Sequence, residues 1–266
     1  MSVLVIIPAR FASSRYPGKP LVELAGATGK KRSLIRRSWE AACQAKGAER
    51  VVVATDDDRI RVAAEAFGAE VVMTSSDCAN GTERCAEVVD LIGRPHEVVV
   101  NFQGDAPLVP PWFVDAIVAG LRSDPKAAMA TPVLRCDGRM LAGLLEDRRH
   151  GRVGATTAVF APDGGALYFS KEVIPYRGAG YSDDEPTPVF HHVGLYAFRT
   201  DALRAYRGWP AGRLEGLEGL EQLRFLENGQ RIACVEVDRR GRQFWELNNP
   251  QDVPILEQMM QEMGLE

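Results

Sequence analysis

Short apolar, β-branched runs alternate with helical periodicity through the first half of the chain. Residues 3–7, 51–54, 71–73 and 98–102 read as buried strands. Residues 33–45, 57–67, 82–91 and 112–121 read as the helices between them. Buried strands separated by helices predict right-handed βαβ units and a mainly parallel sheet, with ligands beyond the carboxyl ends of its strands. After about residue 125 the rhythm changes. Residues 129–134, 157–160, 166–169, 193–198 and 232–237 read as strands joined by loops rich in Pro and Gly, and 217–226 as a helix. Near the C-terminus, Leu256, Met259, Met260 and Met263 form a helical apolar stripe. The predicted fold is α/β, a Rossmann-like sheet with a small subdomain of mixed strands.

The chain has 266 residues, 45% of them hydrophobic, which suits one domain with an elaboration. The change of rhythm near residue 125 and the closing strand and helix divide the chain into 1–125, 126–235 and 236–266. A formal net charge of −4 argues against a general nucleic-acid binder. The charge is uneven, however: Arg10, Arg15, Lys19, Lys30, Lys31, Arg32, Arg36 and Arg37 make the first forty residues basic, which points to a small anionic ligand. No apolar run reaches membrane-spanning length and no signal sequence is recognisable, so a soluble cytoplasmic protein without membrane partners is expected. The five cysteines lack metal-ligand spacing.

The string IPARFASSRYPGKP at 7–20 directly follows the first strand. Arg10, Arg15 and Lys19 place three cations within ten residues, and Ala12, Ser13, Ser14 and Gly18 let the backbone approach a ligand closely. Arginine forks and a lysine point charge suit a triphosphate. The string is neither a P-loop nor a dinucleotide-binding glycine motif, which disfavours a dehydrogenase. At the end of the fourth strand, NFQGDAP (101–107) carries Asp105 into the same crevice. One carboxylate there, with substrate phosphates, suits Mg²⁺. A second acidic run, Asp56-Asp57-Asp58, caps the following helix or forms the D-x-D site of a nucleotide-sugar glycosyltransferase.

With these segments in place, the chain resembles the 3-deoxy-manno-octulosonate (Kdo) cytidylyltransferases, or CMP-Kdo synthetases. The matching strings are IIPARFASSRYPGKPLVELAG, ATDDDRI, AFGAEVVMTS, NGTER, NFQGDAP, ALYFSKEVIPY, HHVGLYAFR and LEGLEQLRFLENG, in family order over nearly the whole chain. The resemblance implies a homodimeric, CTP-dependent enzyme that transfers CMP to a small acid and releases pyrophosphate. It implies Pro8, Ala9, Arg10, Ser13, Arg15, Lys19, Asn80, Gly81, Thr82 and Asp105 around the nucleotide. Gln103, His192, Tyr196, Glu218 and Gln222 would meet the acceptor, and Asp105 with the residue at Asn248 would hold Mg²⁺. Arg10, Arg15, Lys19 and Asp105 would carry the chemistry.

The departures lie on the acceptor and second-metal side. ELNNPQDV (246–253) puts Asn248 where the family usually has a metal-binding Asp, and a neutral amide is a weaker Mg²⁺ ligand. Glu246 stands two residues away, on the same face of an extended segment. CANGTER (78–84) replaces a common SGTDR string, a Lys common before ALYFS is replaced near Thr156 or Thr157, and 27–32 is a short basic insertion. Two alternatives stay open: a cytidylyltransferase for a phosphonate such as phosphonoformate, or a catalytically silent nucleotide-binding paralogue.

Overall fold

A computed structural model describes residues 2–12, 16–93, 96–105, 107–152, 155–178 and 180–266. The expected alternation forms the first half. Strand β1 (Val3–Ala9) is followed by a short hairpin, β2 (Glu23–Ala25) and β3 (Lys31–Ser33), and helix α1 (Leu34–Cys43). Then come β4 (Arg50–Thr55), α2 (Asp58–Ala66), β5 (Glu70–Met73), α3 (Gly81–Ile92), β6 (Val98–Phe102) and α4 (Pro111–Ser123). Strands β5, β4, β1 and β6 lie side by side and parallel. Val3 to Ile7 have no polar face because α1 and α4 cover one side of β1 and α3 the other. All five are at most 1% exposed.

The second half extends this sheet. It comprises β7 (Ala127–Asp137), α5 (Gly138–Arg149), β8 (Thr156–Phe160), β9 (Ala166–Ser170), β10 (Pro186–His192), β11 (Leu195–Arg199), α6 (Thr200–Gly208), α7 (Arg213–Glu218), α8 (Leu223–Glu227), β12 (Arg231–Glu236) and α9 (Asp252–Glu262). The order β5-β4-β1-β6-β11-β7-β10-β8-β9 runs antiparallel from β6 onward, with β12 parallel to β7. The long strand β7 pairs with β11 and β12 near its start and with β10 near its end, which joins the parallel half to the antiparallel one.

Two predicted elements are corrected. The strand read at 193–198 is β11, which begins only at Leu195; Val193 and Gly194 separate it from β10, a strand the sequence pattern did not predict. The helix read at 217–226 is broken into α7 and α8, because Gly219 takes the left-handed conformation at φ 62° and caps α7 through its N–H to Glu215 O at 2.7 Å. Arg224, 5% exposed, fixes the angle between the pieces. Its guanidinium donates to both oxygens of Glu215 at 2.7 Å and reaches Glu83 of α3 at 3.1 Å. The break leaves Glu221 and Gln222 facing the sheet.

Phe198 shows how the aromatic layer closes this half: it is 1% exposed and stacks on Phe225 with ring centroids 5.5 Å apart. Phe198→Ala is expected to lower unfolding free energy by about 3–5 kcal/mol. A urea titration should show a lower midpoint with unchanged m-value.

Candidate active site

Beyond the carboxyl ends of β1 and β6 lies a cavity of about 1050 Å³, at the place a doubly wound sheet offers its ligand. At one end of its wall are Pro8, Ala9, Arg10 and Lys19. Asn80 and Gly81 begin α3 beside them, and Gln103, Gly104 and Asp105 follow β6. Val22 and Leu21 continue from a tight turn at Lys19–Leu21, preceded by Gly18 at φ 72°. Gly18 N–H donates to Phe11 O at 2.9 Å, closing the loop on itself. A side chain at 18 would be strained by this backbone angle and would press on the Phe11 ring at 3.0 Å.

The turn delivers Lys19 to Asp105. Lys19 Nζ donates to Asp105 Oδ2 at 2.9 Å, with side chains 16% and 27% exposed. The cation and the carboxylate predicted from separate motifs are therefore in contact inside one cavity. Arg10 is exposed on the same wall. Ser13 and Arg15 lie outside the described residues.

Helix α3 presents its N-terminus to this crevice, where the positive end of the helix dipole favours an anion. Asn80 caps it, accepting from Glu83 N–H at 2.8 Å while its Nδ2 donates to Tyr206 at 3.0 Å. A Cβ on Gly81 would sit 3.3 Å from Pro8 Cγ, so glycine permits the close approach of this helix to β1. Thr82 is 1% exposed and is not part of the cavity wall. Its backbone N–H is turned to Glu221.

The other end is formed by Thr156, Lys171, His191, His192, Tyr196, Leu220 and Gln222. His192 is 4% exposed, and its Nε2 lies 2.9 Å from Thr131 Oγ1. The Thr131 hydroxyl proton goes to Leu195 O at 2.9 Å, which assigns Nε2–H as donor and leaves Nδ1 with its lone pair. Burial, and then the neighbouring His191, lower the His192 pKa to about 3, so the ring is neutral at working pH. Tyr196 donates to Gln222 Oε1 at 3.3 Å, and burial holds its phenol well above the usual range. Gln222 is 2% exposed, and its Nε2 has no partner among the described residues.

Glu218 does not reach the cavity. It accepts from Ser170 Oγ at 2.7 Å, Lys171 N–H at 2.9 Å and Tyr168 OH at 3.3 Å, and so holds the end of β9 behind the wall. The carboxylate of this segment that does reach it is Glu221, three residues further on and past the helix break, a residue to which the sequence pattern assigned no role. Gln103 Nε2 donates to Glu221 Oε1 at 3.0 Å. Lys171 is a second cation unassigned from sequence. Its backbone is fixed by Glu218, and Arg148 donates to its carbonyl.

The segment 245–252 closes the cavity. Leu247 N–H donates to Asp105 O at 3.0 Å, and Trp245, Glu246, Asn248, Asn249 and Asp252 line the wall. Asn248 donates to Glu246 Oε2 at 3.3 Å, so this pair sits at the Asp105 end. The acidic run 56–58 is used otherwise: Asp57 caps α2, and Asp56 lies 3.4 Å from Arg84. The basic insertion at 27–32 forms the tip of the β2–β3 hairpin. It is tied to the C-terminal segment through Ala27 N–H to Leu265 O at 2.7 Å and Thr28 N–H to Glu266 at 2.9 Å. Its cations do not line the cavity.

A family profile described as cytidylyltransferase matches residues 4–232. The 3-deoxy-manno-octulosonate cytidylyltransferase of Maricaulis maris is 44% identical over 257 residues, covering 97% of this chain and 96% of that protein. The protein of the same name from Syntrophotalea carbinolica is 43% identical over 244 residues, covering 90% and 92%. A solved CMP:2-keto-3-deoxy-manno-octonic acid synthetase complexed with CTP superposes with a TM-score of 0.82 at 31% identity, over 99% of this chain and 100% of that one.

His192 makes stability depend on pH. Its folded pKa lies below the unfolded value of about 6.5, so only the unfolded chain takes up this proton between that value and about 3. The stability it contributes is complete above about pH 6.5 and falls by about 1.4 kcal/mol per pH unit below it. His192→Gln, which keeps an Nε2–H donor, should remove this one-proton slope in urea midpoints measured between pH 4 and 7.

Proposed function

The chain belongs to the 3-deoxy-manno-octulosonate cytidylyltransferase family, and on that premise we propose that it transfers CMP from CTP to the sugar acid Kdo, releasing pyrophosphate. The observation that carries this reading is the meeting of Lys19 with Asp105 in a cavity whose far end presents Lys171, neutral His192 and Gln222. One end suits a triphosphate, the other a polyhydroxy acid. The relatives' shared acceptor favours the sugar acid over a phosphonate.

Arg10 and Lys19 neutralise the triphosphate and the departing pyrophosphate, with Arg15 of the same loop assigned to them. Asn80 and Gly81, at the start of α3, receive the nucleoside. Lys171 faces the acceptor carboxylate, and the amide of Gln222 supplies a donor for an acceptor oxygen. Because Nδ1 of His192 keeps its lone pair, this ring accepts a hydroxyl proton in a hydrogen bond and carries no charge. The acceptor oxygen then attacks the α-phosphorus in line with the leaving group. The protein's contribution is position and charge.

Asp105 fits a divalent cation: it is a cavity carboxylate that already holds a cationic group, the Lys19 ammonium, on Oδ2. Asp105 would hold Mg²⁺, with Glu246 and the Oδ1 of Asn248 at the same end of the cavity. When bound, the ion supplies Lewis-acid stabilisation of phosphate charge. The reading also makes the enzyme a homodimer joined through 126–235, where Leu167 and Tyr176 are 65% and 94% exposed.

A pyrophosphate-release assay with each of the four nucleoside triphosphates against Kdo, other sugar acids and phosphonoformate tests the reading. Turnover with CTP and Kdo is expected, and faster turnover with phosphonoformate would refute the acceptor. Asp105→Asn should lower kcat by about 10³-fold or more while leaving the thermal midpoint near that of the wild type. A variant of nearly full activity would remove Asp105 from the chemistry.

A further inference from the structure

Glu221 occupies a place that neither nucleotide binding nor acceptor binding explains by itself. It lies between them. Its Oε2 accepts the backbone N–H of Thr82 at 3.1 Å, at the start of the helix that faces the nucleotide. Its Oε1 accepts Nε2 of Gln103 at 3.0 Å, on the turn that also carries Asp105. An ionised carboxylate can only accept. The Gln103 amide therefore has one permitted orientation, with Nε2 toward Glu221 and Oε1 away from it. The carbonyl end lies 3.6 Å from where a Cβ of Gly194 would stand, and Gly194 is itself part of the cavity wall. The absence of a side chain at 194 leaves that oxygen open to the cavity.

We propose that Glu221 is the positioning residue that fixes the amide of Gln103, so that the acceptor meets a hydrogen-bond acceptor at this point and is selected for a hydroxyl group there. This deepens the proposed function and rests on it. The same carboxylate ties that orientation to the nucleotide-side helix, so the two half-sites share one rigid joint.

The surroundings set when the joint holds. Desolvation raises the Glu221 pKa to about 6, opposed by hydrogen bonds from Thr82 and reinforced by Glu215 and Asp105. Among the described residues, the titratable groups that interact with it are Cys85 on α3, Asp105 after β6, Tyr196 on β11, Tyr206 on α6 and Glu215 on α7. Above about pH 6 the carboxylate only accepts. Below it, a carboxylic proton can be donated to the amide, and the orientation of Gln103 is released.

Exchange of the two side-chain types provides the test. In Glu221→Gln, an amide that keeps its oxygen on Thr82 N–H turns its own NH₂ toward Gln103. The Gln103 carbonyl must then face it, leaving NH₂ toward the cavity. The kcat/KM for Kdo should fall about 10–100-fold, with the KM for CTP changed less than about threefold. The acid limb near pH 6 in kcat/KM for Kdo should disappear. Adding Gln103→Glu restores an acceptor pair with the charge exchanged, and the double variant should recover at least about tenfold over Glu221→Gln alone.

A double variant no better than the single one, or an unchanged acid limb in Glu221→Gln, overturns the inference. So does an equal loss toward both substrates, the result of a merely structural role. Wild-type enzyme serves as the control. If it releases pyrophosphate from CTP with Kdo, these failures concern Glu221 alone; if it does not, the function itself is wrong and this inference falls with it.

Discussion

An ammonium group held on a carboxylate across 86 residues of sequence joins the two motifs on which the site depends. Lys19 comes from a loop that leaves β1, and Asp105 from the turn that leaves β6. Those strands are hydrogen-bonded neighbours in the sheet, which is why the ends of both chains meet. A partly exposed ion pair contributes little to stability, of the order of 1 kcal/mol or less. Its importance is electrostatic placement. A cation stands where Asp105 can meet one, and a positively charged wall stands where phosphates would enter.

The rest of the cavity is built around this pair by segments far apart in the chain. The 245–252 segment is fastened to Asp105 by a backbone hydrogen bond, and Glu246 and Asn248 arrive at the same end. The broken helix pair α7 and α8, angled by Arg224, brings Glu221 and Gln222 against β6 and β11. Burial keeps His192 neutral and the Tyr196 phenol protonated, so the far wall presents hydrogen bonds more than charge. Lys171 adds a cation to it. Such a division, charge at the triphosphate end and directed hydrogen bonds at the other, suits a reaction governed by alignment of two substrates.

The parallel half of the fold was legible because strands buried on both faces have continuous apolar runs, and their flanking helices show clear periodicity. The sequence pattern was silent about α5, where Asp137-Gly138 resembles a turn and instead places Asp137 as an N-cap. It was also silent about α6 and about β10, whose Pro186 and Pro188 interrupt the strand pattern and whose pairing is irregular. At the site, the short-range motifs were readable: Pro8, Ala9, Arg10, Lys19, Asn80, Gly81, Gln103 and Asp105 come together. Within LEGLEQLR, two glutamates three residues apart look equivalent. Only the left-handed Gly219 between them decides that Glu221 enters the cavity while Glu218 supports β9. That choice depends on a helix break, and a periodic reading of 217–226 assumes none.

The central claim is that Asp105 is a cation-receiving carboxylate whose place is kept by Lys19. Titration of nucleotide-free enzyme with Mn²⁺, followed by the electron paramagnetic resonance of the free ion, measures this directly. Removing the competing ammonium in Lys19→Met should tighten Mn²⁺ binding by about tenfold, a gain of about 1.4 kcal/mol, and Asp105→Asn should abolish the gain. Equal Mn²⁺ affinity in the wild type and Lys19→Met, or a gain that survives loss of the Asp105 carboxylate, would contradict the account.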